Sequence, residues 1–133
     1  MVRFKLFLLF TILFISCGES QDFHKSSTNG NLCIENKVQS FGKVNKNKVK
    51  EIRCLFPINN YGDSSITINK IDVSCGCIST EITSNIILPH EQQILTVKIN
   101  TSNRLGYMNK AVFIKSNAQN SMEIIRVKGH IIN

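Results

Sequence analysis

The stretch VKEIRCLFPINN, Val49 to Asn60, decides how this chain folds. Ile52, Cys54, Phe56 and Ile58 recur at every second position, with Glu51 and Arg53 on the alternate ones. In an extended backbone successive side chains point to opposite faces, so this period of two describes a strand with one apolar face. The turn formers Asn59-Asn60-Tyr61-Gly62-Asp63 then end it.

Outward from this strand the same period repeats. Ile66 and Ile68 alternate, then Ile71, Val73, Cys75 and Cys77 alternate in the opposite register, which predicts a bulge or bend between Ile68 and Ile71. Leu95, Val97 and Ile99 alternate with Thr96 and Lys98. Ala111 to Ile114 is a short apolar run, and Ile125, Val127 and Ile131 alternate with Arg126, Lys128 and His130. Turn signals stand between the runs at Pro89-His90-Glu91, Asn103 to Gly106 and Ser116 to Ser121. Ile, Val, Phe and Thr, residues that suit a pleated half-buried surface, dominate the runs. The expected fold class is all-β, and about 100 residues of short strands favour a sandwich over a barrel. Gly106 and Gly129 read as sites of a bend or of close backbone approach.

The N-terminus is set apart from these strands. Arg3 and Lys5 precede the apolar run Leu6 to Ile15, too short to span a bilayer but suited to the core of a secretory signal. Phe14-Ile15-Ser16-Cys17-Gly18 resembles the lipobox of bacterial lipoproteins, with Phe14 in place of the usual Leu. The resemblance implies cleavage after Ser16 and a diacylglyceryl group on Cys17. An ordinary signal peptide or signal anchor with an incidental cysteine is the alternative. Residues 17–31 are polar and aperiodic, a tether that includes His24, and residues 32–133 form the expected domain. Several acyl chains on Cys17 would hold the protein to a membrane of the cell envelope. The outer membrane or cell surface is favoured over the inner membrane.

The sequence of 133 residues carries 16 basic and 9 acidic residues, a net +7. Loss of Met1 to Ser16 removes Arg3 and Lys5 and no acid, leaving 14 − 9 = +5. The lysines are scattered, Trp is absent and no aromatics interleave with them to stack bases, which argues against nucleic acid as a partner. A basic surface suits anionic glycans, lipid headgroups or acidic proteins.

Five segments occur in a telling order: SFGKV (40–44), LFPINNYGDSSITINKIDVSCGCIST (55–80), ILPHEQQILTVKINTS (87–102), GYMNKAVFIKSNA (106–118) and IIRVKGHI (124–131). Together they resemble the bacterial family catalogued as domain of unknown function 1573, over roughly residues 32–132. The resemblance implies an immunoglobulin-like, seven-stranded antiparallel β-sandwich, exported and often lipidated, with no established activity. Ser40 stands where the family usually has Asp, and His90 replaces the Gly of a Pro-Gly-Glu turn. A turn that needs positive φ at that position would be less comfortable here.

Four cysteines lie in the domain. Cys54 shares the inward face of its strand and reads as a small buried hydrophobe, while Cys33, between Leu32 and Ile34, should point outward. That alternation argues against a Cys33–Cys54 bridge. Cys75 and Cys77, in VSCGCIS (73–79), would share one face of a strand with Cα atoms ~6.6 Å apart. Three readings stand: small residues that mark the end of a strand, a labile disulfide permitted by a kink at Gly76, or two thiolates toward Zn²⁺ or Cu(I). A closed zinc site wants four ligands, and no spacing brings His90 or His130 beside Cys75.

Catalytic signatures are missing: there is no G-x-S-x-G, no H-E-x-x-H, no glycine-rich phosphate loop and no poised carboxylate pair. The sequence therefore predicts a non-catalytic binding or scaffolding module with no cofactor and an unknown protein or glycan partner. The candidate loops are Asn59–Ser65, Ile78–Asn85 and Asn100–Tyr107. Their candidate contact residues are Tyr61, Arg104 and Tyr107, with His90 in the neighbouring Pro89–Glu91 turn. A thiol-redox or copper- or zinc-handling protein centred on Cys75 and Cys77 is the alternative, and a self-associating envelope component a third.

Overall fold

The structure is a computed structural model that describes residues 30–133. The expected signal peptide, Cys17, His24 and most of the tether lie outside the described residues. Nine strands follow in order: β1 (Leu32–Cys33), β2 (Val38–Asn45), β3 (Glu51–Asn60), β4 (Ile66–Val73), β5 (Ile78–Ile82), β6 (Ile86–Ile87), β7 (Gln92–Asn100), β8 (Gly106–Ser116) and β9 (Met122–Ile132). No helix occurs among the described residues. The strands form two sheets, ordered β1-β3-β7-β5 and β2-β9-β8-β4-β6.

The alternation in Val49–Asn60 became β3. Cys54, Phe56 and Ile58 are buried and pair with Val97, Leu95 and Gln93 of β7, so both strands turn one apolar row inward. Ile66, Ile87, Val112, Ile114, Ile125, Val127 and Ile131 meet them from the second sheet, all essentially without solvent contact. Each such side chain contributes about 1.5–3 kcal/mol by leaving water, which makes this inter-sheet layer the main stabilising element.

Two expectations need correction. The seven-strand count is exceeded because β1 and β6 are two residues long, and two residues carry no readable period. The pairing is also not wholly antiparallel, since β2 runs parallel to β9. Alternation reports which face of a strand is buried but not which neighbour it will have. The expected bulge in β4 is present as a register shift between Ile68 and Lys70. A second shift lies between Ser40 and Gly42 in β2, where Gly42 has φ +70°. Phe41, at that bulge, lies across Gly129. A Cβ on Gly129 would overlap the Phe41 ring and come within 2.7 Å of the Gly42 carbonyl oxygen.

The register of β3 defines two ends of the sandwich. Glu51 pairs with Asn100 and Asn59 with Gln92, so the ten residues of β3 separate the ends by about 30 Å. One end carries Lys46–Lys50, Ser74–Cys77 and Thr101–Leu105, the other Tyr61–Ser65, Leu88–Glu91 and Asn117–Ser121.

Candidate functional site

At the first end the chain leaves β4 and turns tightly before β5. Ile78 N donates to the Cys75 carbonyl at 3.1 Å, and Asn100 N donates to the Cys77 carbonyl at 2.9 Å. Ser74 ties the turn to β8 in both directions, its N donating to the Ala111 carbonyl and its Oγ accepting from Ala111 N at 3.0 Å. The extended geometry expected here therefore does not hold. Val73 is 37% exposed rather than inward, and Cys75 and Cys77 have Cα atoms 5.2 Å apart and are joined as a disulfide. Backbone hydrogen bonds to β7 and β8, remote in sequence, set this turn.

The two sulfurs differ in surroundings. Cys77 is buried, whereas Cys75 is half-buried and accepts from Cys77 N at 3.2 Å and from Arg104 Nη2 at 3.5 Å. Arg104 sits in the Thr101–Leu105 loop, shaped by Arg104 N donating to the Thr101 carbonyl and by the buried Thr101, whose Oγ1 donates to the Val49 carbonyl at 2.5 Å. Gly76, Cys77, Asn100, Asn103 and Arg104 line an open recess of about 160 Å³ beside the disulfide. A Cβ at Gly76 would meet no atom within 4 Å, so the missing side chain leaves that flank uncovered. Among the described residues no three His, Cys, Asp or Glu side chains gather closely enough to hold a metal ion. Cys33 and Cys54 are free thiols. Cys33 faces Asn59, five residues along β3 from Cys54, about 16 Å at strand rise and far beyond disulfide reach. Burial pushes the Cys54 thiol above its ordinary pKa.

The four candidate surface residues do not form one patch. Tyr61 and His90 lie at the Asn60 end, Arg104 and Tyr107 at the Cys75 end, and Ile78–Ile82 of the second candidate loop is strand β5. Tyr61 OH donates to Glu35 at 3.2 Å, and that hydrogen bond raises its phenol pKa. His90 has φ +61° at the third position of a turn closed by Glu91 N on the Leu88 carbonyl, and its ring lies 3.3 Å from Asp63. The residue that replaced a glycine does occupy the left-handed region.

Charge, by contrast, gathers on one face. Lys43, His130 and Tyr107 align across β2, β9 and β8, in strands about 4.8 Å apart. Arg126 and Lys128 follow on the same exposed face of β9. Lys43, Arg126 and Lys128 enter no ion pair among the described residues, whereas Lys37, Lys70, Lys98 and Lys115 each meet a carboxylate. In the linear sequence these three cations look like any other scattered lysine or arginine; strand pairing brings them together.

Sequence reasoning also undervalued Asn60, read only as a turn former. Its side chain is fully buried, Nδ2 donating to the carbonyls of Ser64, Ile87 and Leu88 at 2.8–3.2 Å. Its Oδ1 accepts from Asn31 N and Gly62 N. An Asn two positions after an inward Ile58, and so on the same face, was the available signal.

The family model described as protein of unknown function DUF1573 matches residues 32–131. The chain belongs to this family. No curated protein matches the sequence. Among solved structures, this DUF1573 domain is similar to a protein of unknown function from Porphyromonas gingivalis W83, with TM-score 0.69 and 13% identity. That match covers 79% of this chain and 48% of the Porphyromonas protein, so the chain spans about half its length. The human CEP192 ASH/PapD-like domain matches with TM-score 0.65 and 9% identity, over 80% of this chain and 88% of that one. The secreted serine protease VesC from Vibrio cholerae matches at 0.56 and 11%, over 81% of this chain and 24% of its own. At these identities the likeness is one of fold, an immunoglobulin-like or PapD-like β-sandwich.

Proposed function

We propose that this chain is a lipid-anchored protein of the cell envelope that acts by binding an anionic partner, protein or glycan. The observation that carries the reading is the outward face of β2, β9 and β8, where Lys43, Arg126 and Lys128 have no carboxylate partner among the described residues and stand beside His130 and the 65% exposed Tyr107. Cations on adjacent strands of a rigid sheet sum into a field that attracts a polyanion, and salt screens it. Neutralised pairs such as Lys70–Asp72, 2.8 Å apart on the same sheet, contribute little to such a field. The lipid on Cys17 and an outer-membrane or surface location complete the proposal. The lipobox resemblance supports the lipid on Cys17.

The test is retention of the full chain, in detergent, on an immobilised sulfated polysaccharide. The Lys43→Glu/Arg126→Glu/Lys128→Glu variant should elute well before the parent. An equal reversal at Lys37, Lys70 and Lys115, all ion-paired, should elute later than that variant. Retention of the parent should vanish near about 1 M salt, where the screening length is about 3 Å. Equal losses in the two variants, or retention indifferent to salt, would sink the assignment of the face. Intact mass of the exported protein, with and without Cys17→Ser, tests the anchor separately.

A further inference from the structure

We propose that the Cys75–Cys77 disulfide is a thiol–disulfide exchange site, with Cys75 the sulfur that exchanges and Cys77 the one that resolves. The substrate class is an accessible thiol, or in reverse a disulfide, on a small molecule or an unfolded or flexible protein segment.

The two sulfurs of the bridge are not equivalent. Exchange proceeds by attack of a thiolate on one sulfur of a disulfide, through a mixed disulfide, and the attacked sulfur must be reachable. Cys75 is half-buried at the surface of the turn, and Cys77 is buried. Gly76 between them presents no side chain to cover the bond, and the recess lined by Asn100, Asn103 and Arg104 offers about 160 Å³ for the incoming group. A second asymmetry is electrostatic. Arg104 Nη2 and Cys77 N both point at Cys75 Sγ, and Arg104 has no carboxylate partner among the described residues. Guanidinium stays charged at any physiological pH and an N–H donor strengthens toward an anion, so both favour negative charge at Cys75. A cationic, partly exposed setting of this kind marks a reactive rather than an inert cysteine.

An external thiolate R–S⁻ attacks Cys75 Sγ. The R–S–S–Cys75 bond forms, the Cys75–Cys77 bond breaks, and its electron pair leaves on Cys77, which takes a proton from water. Attack of a second R–S⁻ on the R-sulfur then releases RSSR and the Cys75 thiolate, held by Arg104 and Cys77 N. Two RSH have been oxidised to RSSR and one disulfide reduced to a dithiol. In the opposite direction the Cys75 thiolate attacks an oxidised partner and Cys77 resolves the mixed disulfide. Such a short loop also limits the alternative role, because a cross-link stabilises a fold less the fewer residues it encloses.

The experiment treats the full chain in detergent with glutathione redox buffers, quenches with acid, alkylates free thiols and maps the products by mass spectrometry. Cys54, buried and with a raised thiol pKa, reports in the same spectrum whether the domain stayed folded. Glutathione should appear on Cys75 and not on Cys77, with Cys54 unmodified. Cys77→Ser should accumulate the Cys75–glutathione adduct, and Cys75→Ser should give none at Cys77. In the reduced protein, Arg104→Gln should shift the pH midpoint of Cys75 alkylation upward and slow alkylation near neutral pH by about tenfold, roughly one pKa unit of lost stabilisation. A purely structural bridge would leave that profile unmoved. Adducts on Cys77, reduction only once Cys54 also reacts, or an Arg104→Gln profile equal to the parent's would each overturn the proposal.

Discussion

Replacing Asn60 tests the reasoning about the Asn60 end most directly. In Asn60→Ala the carbonyls of Ser64 and Ile87 and the amides of Asn31 and Gly62 lose this partner together, while the Leu88 carbonyl keeps its bond from Glu91 N. The Ile87 carbonyl lies in a buried contact and should cost about 1–3 kcal/mol unsatisfied, while the three part-buried groups, which water can reach, should cost about 0.5–1 kcal/mol each. The total, about 4 kcal/mol, is a large share of the 5–15 kcal/mol that typically holds a domain together. It should lower Tm by roughly 15–30 °C in a domain of this size. Urea or thermal denaturation followed by far-ultraviolet circular dichroism reads the effect. Asn60→Asp sharpens the test, because it keeps the shape and both acceptor roles but replaces the Nδ2 donor with an oxygen facing three carbonyls. Burial and that repulsion raise the folded-state carboxyl pKa above its unfolded value near 3.9. A raised pKa means that stability is regained below the unfolded value and lost as pH rises through the folded one. Asn60→Asp should therefore be markedly weaker at pH 7 than near pH 3, each measured relative to the parent at the same pH. A loss under about 1 kcal/mol for Asn60→Ala, or a pH-independent deficit for Asn60→Asp, would refute the account of this side chain as the joint of that end.

His90→Gly should raise stability by about 0.5 kcal/mol in urea denaturation, because a side chain at φ +61° is strained by more than the entropy a glycine adds. His90→Ala should be close to neutral, and a destabilised glycine variant would show that the exposed contact with Asp63 matters more than the backbone. The Glu81 carboxyl is held below its ordinary pKa by the hydrogen bond and charge of Lys98. Its contribution is present above the unfolded carboxylate pKa and fades as pH falls through the lowered value, so Lys98→Met should flatten the dependence of the denaturation midpoint between about pH 5 and pH 3. An unchanged slope would argue that the pair is fully screened by water.

Much of this protein was readable from its one-dimensional pattern. Alternation in Val49–Asn60, Leu95–Ile99 and Ile125–Ile131 identified three strands and their inward faces, and the parity change after Ile68 located a bulge that the register confirms. The order of five motifs named the family. These properties are legible because they depend on neighbours within a few residues, and the pleat of a strand converts that local order directly into inside and outside. The candidate sites behaved differently. Alternation put Cys75 and Cys77 in a strand, but hydrogen bonds to Ala111 and Asn100 fold them into a turn. Arg104 reaches Cys75 across 29 residues, Asn60 bonds to the Ile87 carbonyl across 27, and Lys43 meets His130 through a parallel pairing of strands from opposite ends of the domain. No local period encodes such meetings. They follow from which strands the two hydrophobic faces bring together, and only the closed sandwich decides that.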